Sequence, residues 1–324
     1  MEKEKMYAPD RKESFLRDWE NRISGRSDAL LAGYRYMFVN SAPYEIKYGR
    51  DLCEMDPLEL KDYLEGTASI RSVSKTRHLG MLKNYIEWCS KTQDVCVSDA
   101  ISHATITGID KMRRSMVSGP VHLQRVLDAY FDPVELHTID VVYRCYLWLA
   151  FAGMEEEDIM CVRCRDVDLN SMTVWFNGEP YRVEREAAAA FRDAAVSPFF
   201  IYYHPNYEPV YKNRAYGDEL IRGFSAPRLL TVRSRISTLS KAAEYKFEDG
   251  KQVKISYYRV WLSGQFYRLY EAERAGVQPD FTQLAKHYIA GKYEDDPATA
   301  HKIFVKEKRN YRLEYERWKL AFQT

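Results

Sequence analysis

The stretch from Cys145 to Met154 carries no charged side chain and constrains the fold more than any other segment of this sequence. It is too short to span a bilayer. With the residues just before it, it predicts a helix over 139–151 that is apolar around most of its circumference, and such a helix has to be covered on several sides. It therefore belongs at the centre of a sizeable domain. A chain of 324 residues has room for about two such domains. With 46% apolar and 29% charged residues the composition is that of a folded protein, which excludes disordered, collagenous and low-complexity classes. The first residues are polar and lack the apolar region of a secretory signal, so a cytoplasmic location without membrane contact is expected.

Around the apolar helix the periodicity is helical almost throughout. Helices are expected over 15–23, from a Ser27 cap through Met37, and from Pro57, where Asp56 caps and proline takes the first turn. A strong amphipathic helix starts at Ser74 or Thr76. Its apolar stripe is Leu79, Leu82, Ile86 and Cys89, with Arg77, Lys83 and Asn84 away from it. Further helices are expected over 121–130, 184–195, 234–246, 257–274, 280–289 and 298–322, the last with Phe304, Tyr311, Tyr315, Trp318 and Phe322 on one face. Thr173 to Val183 reads as a β-hairpin, because Asn177-Gly178 supplies the positive φ values of a tight primed turn. No repeat of 20 to 50 residues is present. The expected fold is mainly α, with a helical domain over 1–105, a linker over 106–119 and a mostly helical second domain over 120–324 that holds the hairpin.

Six cysteines in a chain of this length are too sparse for a secreted disulfide framework and are expected to be reduced and structural. Cys161 and Cys164 have the spacing of half a zinc site, but no second such pair completes four ligands, so neither metal nor cofactor is expected.

The layout of four N-terminal helices followed by a mostly helical domain with one hairpin resembles the tyrosine recombinases, or phage integrases. The likeness becomes residue-specific from Leu147 to Ile159 and at Arg165-Asp-Val-Asp168, which enters the hairpin. It implies a core-binding (SAM-like) N-terminal domain that grips double-stranded DNA and an integrase-type catalytic domain. Where the family reads Thr-Gly-Leu-Arg, this chain has Ala152-Gly-Met-Glu155, so Glu155 replaces the first catalytic arginine. The hairpin turn Asn177-Gly-Glu179 lacks the family's lysine, and Ser256-Tyr-Tyr-Arg259 keeps the arginine of His-x-x-Arg while losing the histidine. Leu284-Ala-Lys-His287 stands where the family has Leu-Gly-His. For the nucleophile, Tyr293 is early and Tyr311 is late and on the apolar stripe.

These losses bear on chemistry. Strand transfer builds charge on the phosphoryl oxygens, and a carboxylate within about 4 Å opposes it by several kcal/mol at intermediate dielectric. The expectation is a protein that is not an enzyme. Size and tyrosine-rich character resemble the integrase-derived lytic-cycle repressors of SPβ-type prophages, in which the scaffold serves as a sequence-specific repressor that maintains lysogeny. That resemblance implies operator DNA as the partner, with a homo-oligomer on DNA and an antirepressor protein as further partners.

The whole-chain balance, 48 Lys/Arg against 47 Asp/Glu, offers no bulk basicity, but the charge is segregated. Residues 71–91 hold five cations and one acid, residues 222–274 eleven and five, residues 301–320 seven and three, while 51–65 hold six carboxylates and Lys61. By analogy with the family, the helix near Thr76 approaches a major groove. Arg77 and Asn84 are then base readers, since Arg and Asn pair with guanine and adenine in two-bonded fashion, Lys75 and Lys83 lie on phosphate, and Arg71 is a further DNA-binding candidate. In the second domain the candidates are Arg233, Arg235, Lys254, Tyr258 and Arg259, with Arg163 and Arg165 behind them. Two other readings stay open at this point: a divergent active recombinase using Tyr293 or Tyr311, and a protein-interaction factor exploiting 25 Tyr and 6 Trp.

Overall fold

The computed structural model describes residues 6–22, 28–67, 72–92, 97–102, 107–131, 138–204, 207–213, 218–222, 228–242, 255–293 and 296–323. The elements divide into two compact units, residues 1–112 with 281–321, and residues 113–280 with 322–324.

In the first unit, α1 (Pro9–Arg22), α2 (Asp28–Tyr48), α3 (Pro57–Thr67) and α4 (Ser72–Thr92) enclose one aromatic core. Phe15, fully buried, meets Trp19, Tyr34, Phe38, Tyr85 and Trp88 at ring-centroid distances of 5.0–5.9 Å. Most of these contacts are edge-to-face, as the ring quadrupole favours. The start of α3 is set by sequence chemistry. Asp56 Oδ1 accepts from the Leu58 and Glu59 N–H groups at 2.8 and 2.9 Å, and Glu59 accepts from the Asp56 N–H at 2.9 Å, closing a capping box. Helix α4 begins at Ser72, ahead of the expected start. A short helix, α5 (Ile109–Arg113), lies within the stretch expected as linker.

The second unit is built on α6 (Pro120–Tyr130) and α7 (Asp140–Phe151). Every residue of α7 from Val141 to Phe151 is buried, as the apolar run requires. After α7 come α8 (Glu156–Ile159), β1 (Val167–Asp168), β2 (Thr173–Phe176), β3 (Glu179–Arg182) and α9 (Ala188–Val196). The β2–β3 turn is the expected one, with Asn177 at φ 52° and Gly178 at φ 83°. A second hairpin, β4 (Phe199–His204) with β5 (Tyr207–Asn213), was not expected from the sequence. It has no tight-turn dipeptide, and Pro209 in the sequence argues against a strand. Helices α10 (Arg228–Ala242) and α11 (Tyr257–Arg274) complete the second unit, and α12 (Thr282–Ile289) and all but the last residue of α13 (Pro297–Phe322) belong to the first. On α13, Tyr311, Tyr315 and Trp318 are buried, so Tyr311 is a packing residue. No helix among the described residues is long and apolar enough to cross a membrane.

The entry to α6 carries a pH-dependent element. His122 Nδ1 accepts from the Ser118 N–H at 3.1 Å, and the ring lies edge-on to Phe322. Burial, and then Arg125, lower its pKa to about 4. The unfolded chain therefore binds a proton that the folded chain refuses. This contribution is complete above about pH 6.5 and is lost as pH falls toward 4. Thermal unfolding between pH 7.5 and 4 is expected to show His122→Asn losing up to about 2 kcal/mol less than wild type across that window, after allowance for partial exposure. Parallel slopes for the two proteins would refute the assignment.

Candidate nucleic-acid interface

On the first unit, α4 turns Leu82, Ile86 and Cys89 inward and leaves Arg77 and Lys83 exposed. Arg77 borders a groove of about 570 Å³ shared with Tyr36, Ser74, His78 and Lys111. Gly33 on α2 makes room for it, since a Cβ there would lie 3.2 Å from Arg77 Nη2. His78 bonds the Tyr63 hydroxyl at 2.9 Å, and burial lowers its pKa, so the groove's cations are Arg77 and Lys111. Asn84 is placed differently from the expectation. Its Nδ2 donates to Tyr34 Oη at 2.9 Å, which ties it to the aromatic core instead of offering it to a base edge.

On the second unit, a cleft of about 460 Å³ is lined by Tyr146 from α7, Glu156 from α8, Arg233 and Ser237 from α10, and Ser256 to Arg259 at the head of α11. Ser256 is the N-cap of α11, its Oγ accepting from the Arg259 N–H at 3.4 Å, so the residue standing for the family's histidine serves the helix terminus. Burial lowers the Arg259 pKa, which means that an anion reaching it meets a poorly hydrated cation and gains more than at an open surface. Tyr258 is exposed and stacked on Trp261 at 6.0 Å.

The decisive member of the cleft is Glu156, which is buried. Arg233 Nε donates to its Oε1 at 2.7 Å, Nη2 donates to Oε2, and the Tyr146 hydroxyl donates to Oε1. The bonds to Glu156 raise the Arg233 pKa. Burial, followed by Glu156 for Tyr146 and by Glu155 for Tyr257, pushes both tyrosine hydroxyls far from ionisation. Glu155 itself is half-buried at the N-cap of α8 and does not line the cleft. The acidic run 155–158 read as one block in the sequence, and only the fold separates the cap residue from the one that faces Arg233. Tyr146 lies inside the apolar run and Tyr257 inside Ser256-Tyr-Tyr-Arg259, and the sequence marks neither hydroxyl as part of a cleft.

The structure therefore brings Arg233, Ser256, Tyr258 and Arg259 together. Arg235 is half-buried on α10, and Arg163 and Arg165 are exposed beside the turn into β1. His287 is exposed on α12, and Tyr293 follows it in the same unit, which is not the unit of the cleft. Arg71 and Lys254 lie outside the described residues, as does the side chain of Lys75.

Residues 6–91 match the family described as MrpR, N-terminal core-binding domain. The likeness covers the four N-terminal helices and is a likeness of that part of the chain alone. Arg77 and the exposed face of α4 lie within the matched residues, whereas Lys111 of the groove lies outside them. Among solved structures, the crystal structure of XerA recombinase is similar at 16% identity over 91% of this chain and 92% of that chain, with a TM-score of 0.34. No curated protein matches the sequence.

Proposed function

We propose that this protein is a sequence-specific double-stranded DNA-binding repressor, acting in the cytoplasm to keep a prophage silent, on a recombinase-type scaffold that no longer transfers strands. The reading rests on Glu156. A cleft that retains Arg259 suits a phosphate, but the carboxylate holding Arg233 would raise the energy of any charge building on the phosphoryl oxygens. The MrpR-type module at residues 6–91 supports DNA as the partner. Arg77 on α4 then reads base edges, while Arg259 and Lys83 hold phosphate.

The test is selection of bound sequences from random DNA, followed by affinity measurement over a range of salt. Arg77→Ala is expected to cost about 1–3 kcal/mol on the selected site and to relax its sequence preference. Arg259→Ala is expected to weaken all sequences alike and to reduce the salt slope by about 0.9, the value of one phosphate contact. Failure to select any sequence at moderate salt would remove the repressor reading, and a phosphotyrosyl adduct on a nicked suicide substrate would restore the recombinase one.

A further inference from the structure

Among the described residues, Asp51, Cys53 and Cys89 bring a carboxylate oxygen and two sulfurs within 4.8 Å of one another, all three side chains being buried. The first two come from the turn joining α2 to α3, and Cys89 comes from α4. The carboxylate is held in place: the Tyr85 hydroxyl, one helical turn before Cys89, donates to its two oxygens at 2.9 and 3.0 Å, and the Cys53 N–H donates to Oδ1 at 3.1 Å. From α1, Arg11 Nη1 stands 3.7 Å from Asp51 Oδ2 and 3.8 Å from Cys53 Sγ.

We propose that this cluster is a binding site for a thiophilic divalent cation, zinc in the first place, with Asp51, Cys53 and Cys89 as ligands and a fourth position for water. Tetrahedral zinc with sulfur at about 2.3 Å and oxygen at about 2.0–2.2 Å sets neighbouring ligand atoms roughly 3.5–3.8 Å apart. The three atoms already lie inside an envelope only slightly wider, so small side-chain adjustments close the site. Two sulfur donors favour zinc over magnesium or calcium. When the dication binds, both thiols release their protons. Two thiolates and a carboxylate then leave the centre one negative charge in excess beside Arg11, whose Nη1 also donates to Glu54 Oε2 at 3.1 Å. Tyr85 and Arg11 act as the outer groups that orient the ligands. Binding would tie α4 to the α2–α3 turn, so the site stabilises the helix that presents Arg77.

The test uses the reduced full-length protein, titrated with cobalt(II) and followed by absorbance. One equivalent is expected to produce thiolate-to-cobalt charge-transfer absorption with the visible bands of tetrahedral cobalt, and zinc is expected to displace it. Cys53→Ser/Cys89→Ser should abolish the signal, Cys161→Ser/Cys164→Ser should keep it, and Tyr85→Phe should weaken affinity by about tenfold. If the doubly substituted core variant does not fold, the Tyr85→Phe affinity decides. No charge-transfer band in the wild type, a band that survives loss of Cys53 and Cys89, or unchanged affinity in Tyr85→Phe would each overturn the assignment. So would a Cys53–Cys89 disulfide whose reduction yields no cobalt uptake.

Discussion

Lys12→Met is expected to destabilise the protein by about 3–5 kcal/mol at pH 8. Lys12 on α1 and Glu45 on α2 are both fully buried, and the ammonium donates to the carboxylate at 2.6 Å while lying 5.2 Å from the Phe38 ring centroid. Glu45 also accepts from Ser41 Oγ at 2.8 Å and from the Leu52 N–H at 3.0 Å, so its geometry is fixed whatever happens to Lys12. Methionine fills the space of the lysine stem but leaves a carboxylate in an apolar core. Two charges taken out of water together recover much of their desolvation cost through each other, whereas one alone does not.

Burial pushes the Glu45 carboxyl up from its ordinary range even in the intact pair, and removing the lysine pushes it further. A folded-state carboxyl pKa above the unfolded one destabilises as pH rises, so the penalty in Lys12→Met should be small near pH 5 and grow toward pH 8. Urea denaturation at the two pH values measures it. Lys12→Met/Glu45→Leu removes both charges and should recover most of the loss. A single variant within 1 kcal/mol of wild type at pH 8 would mean that the pair does not carry this energy.

The ion pair also marks what the sequence made legible. The apolar run to Met154 required a buried central helix, Asn177-Gly178 required a primed turn, and Asp56-Pro57 required a helix start; all three are local chemistry read within a few residues. Lys12 and Glu45 are 33 positions apart and lie outside the helix bounds expected from the sequence, 15–23 and 27–37, so nothing local distinguishes them from exposed charges. The same limit applied at the cleft. Arg259 was found because a motif marks it, but the partner of Arg233 lies 77 positions away, inside an acidic run. Asn84 shows the reverse case: a polar residue off the apolar stripe reads as surface, yet its amide reaches Tyr34 across 50 positions.

Gly264→Ala is the second change with a large expected effect, at least about 3 kcal/mol, the upper end of what overpacking costs. A Cβ at residue 264 would sit 1.9 Å from the Phe151 carbonyl oxygen and 2.7 Å from its carbon, so the obstacle is the backbone of α7 and no rotamer relieves it. The approach has a purpose. One face of α11 caps the end of α7: Tyr257 Oη donates to the Met154 carbonyl at 3.0 Å, Trp261 Nε1 to Gly153 at 3.3 Å, and Arg268 Nη1 to Phe151 at 2.6 Å. These residues recur at the spacing of successive helical turns, and Gly264 lies among them where the two backbones meet. An alanine must push α11 away from α7, lengthening all three bonds at once and leaving carbonyls at a buried helix end without partners. Gly80→Ala on α4 is the matched control, because a Cβ there meets nothing within 4 Å and helix propensity alone predicts a gain of about 0.5–1 kcal/mol. Opposite signs for the two glycines in chemical denaturation are the expected result; equal effects would show that the α7–α11 contact yields without cost. Because Ser256 caps α11 and Arg259 lies in its first turn, the same displacement should shift the cleft, and, under the proposed function, a Gly264→Ala protein that still folds at low temperature should bind DNA more weakly while keeping its sequence preference.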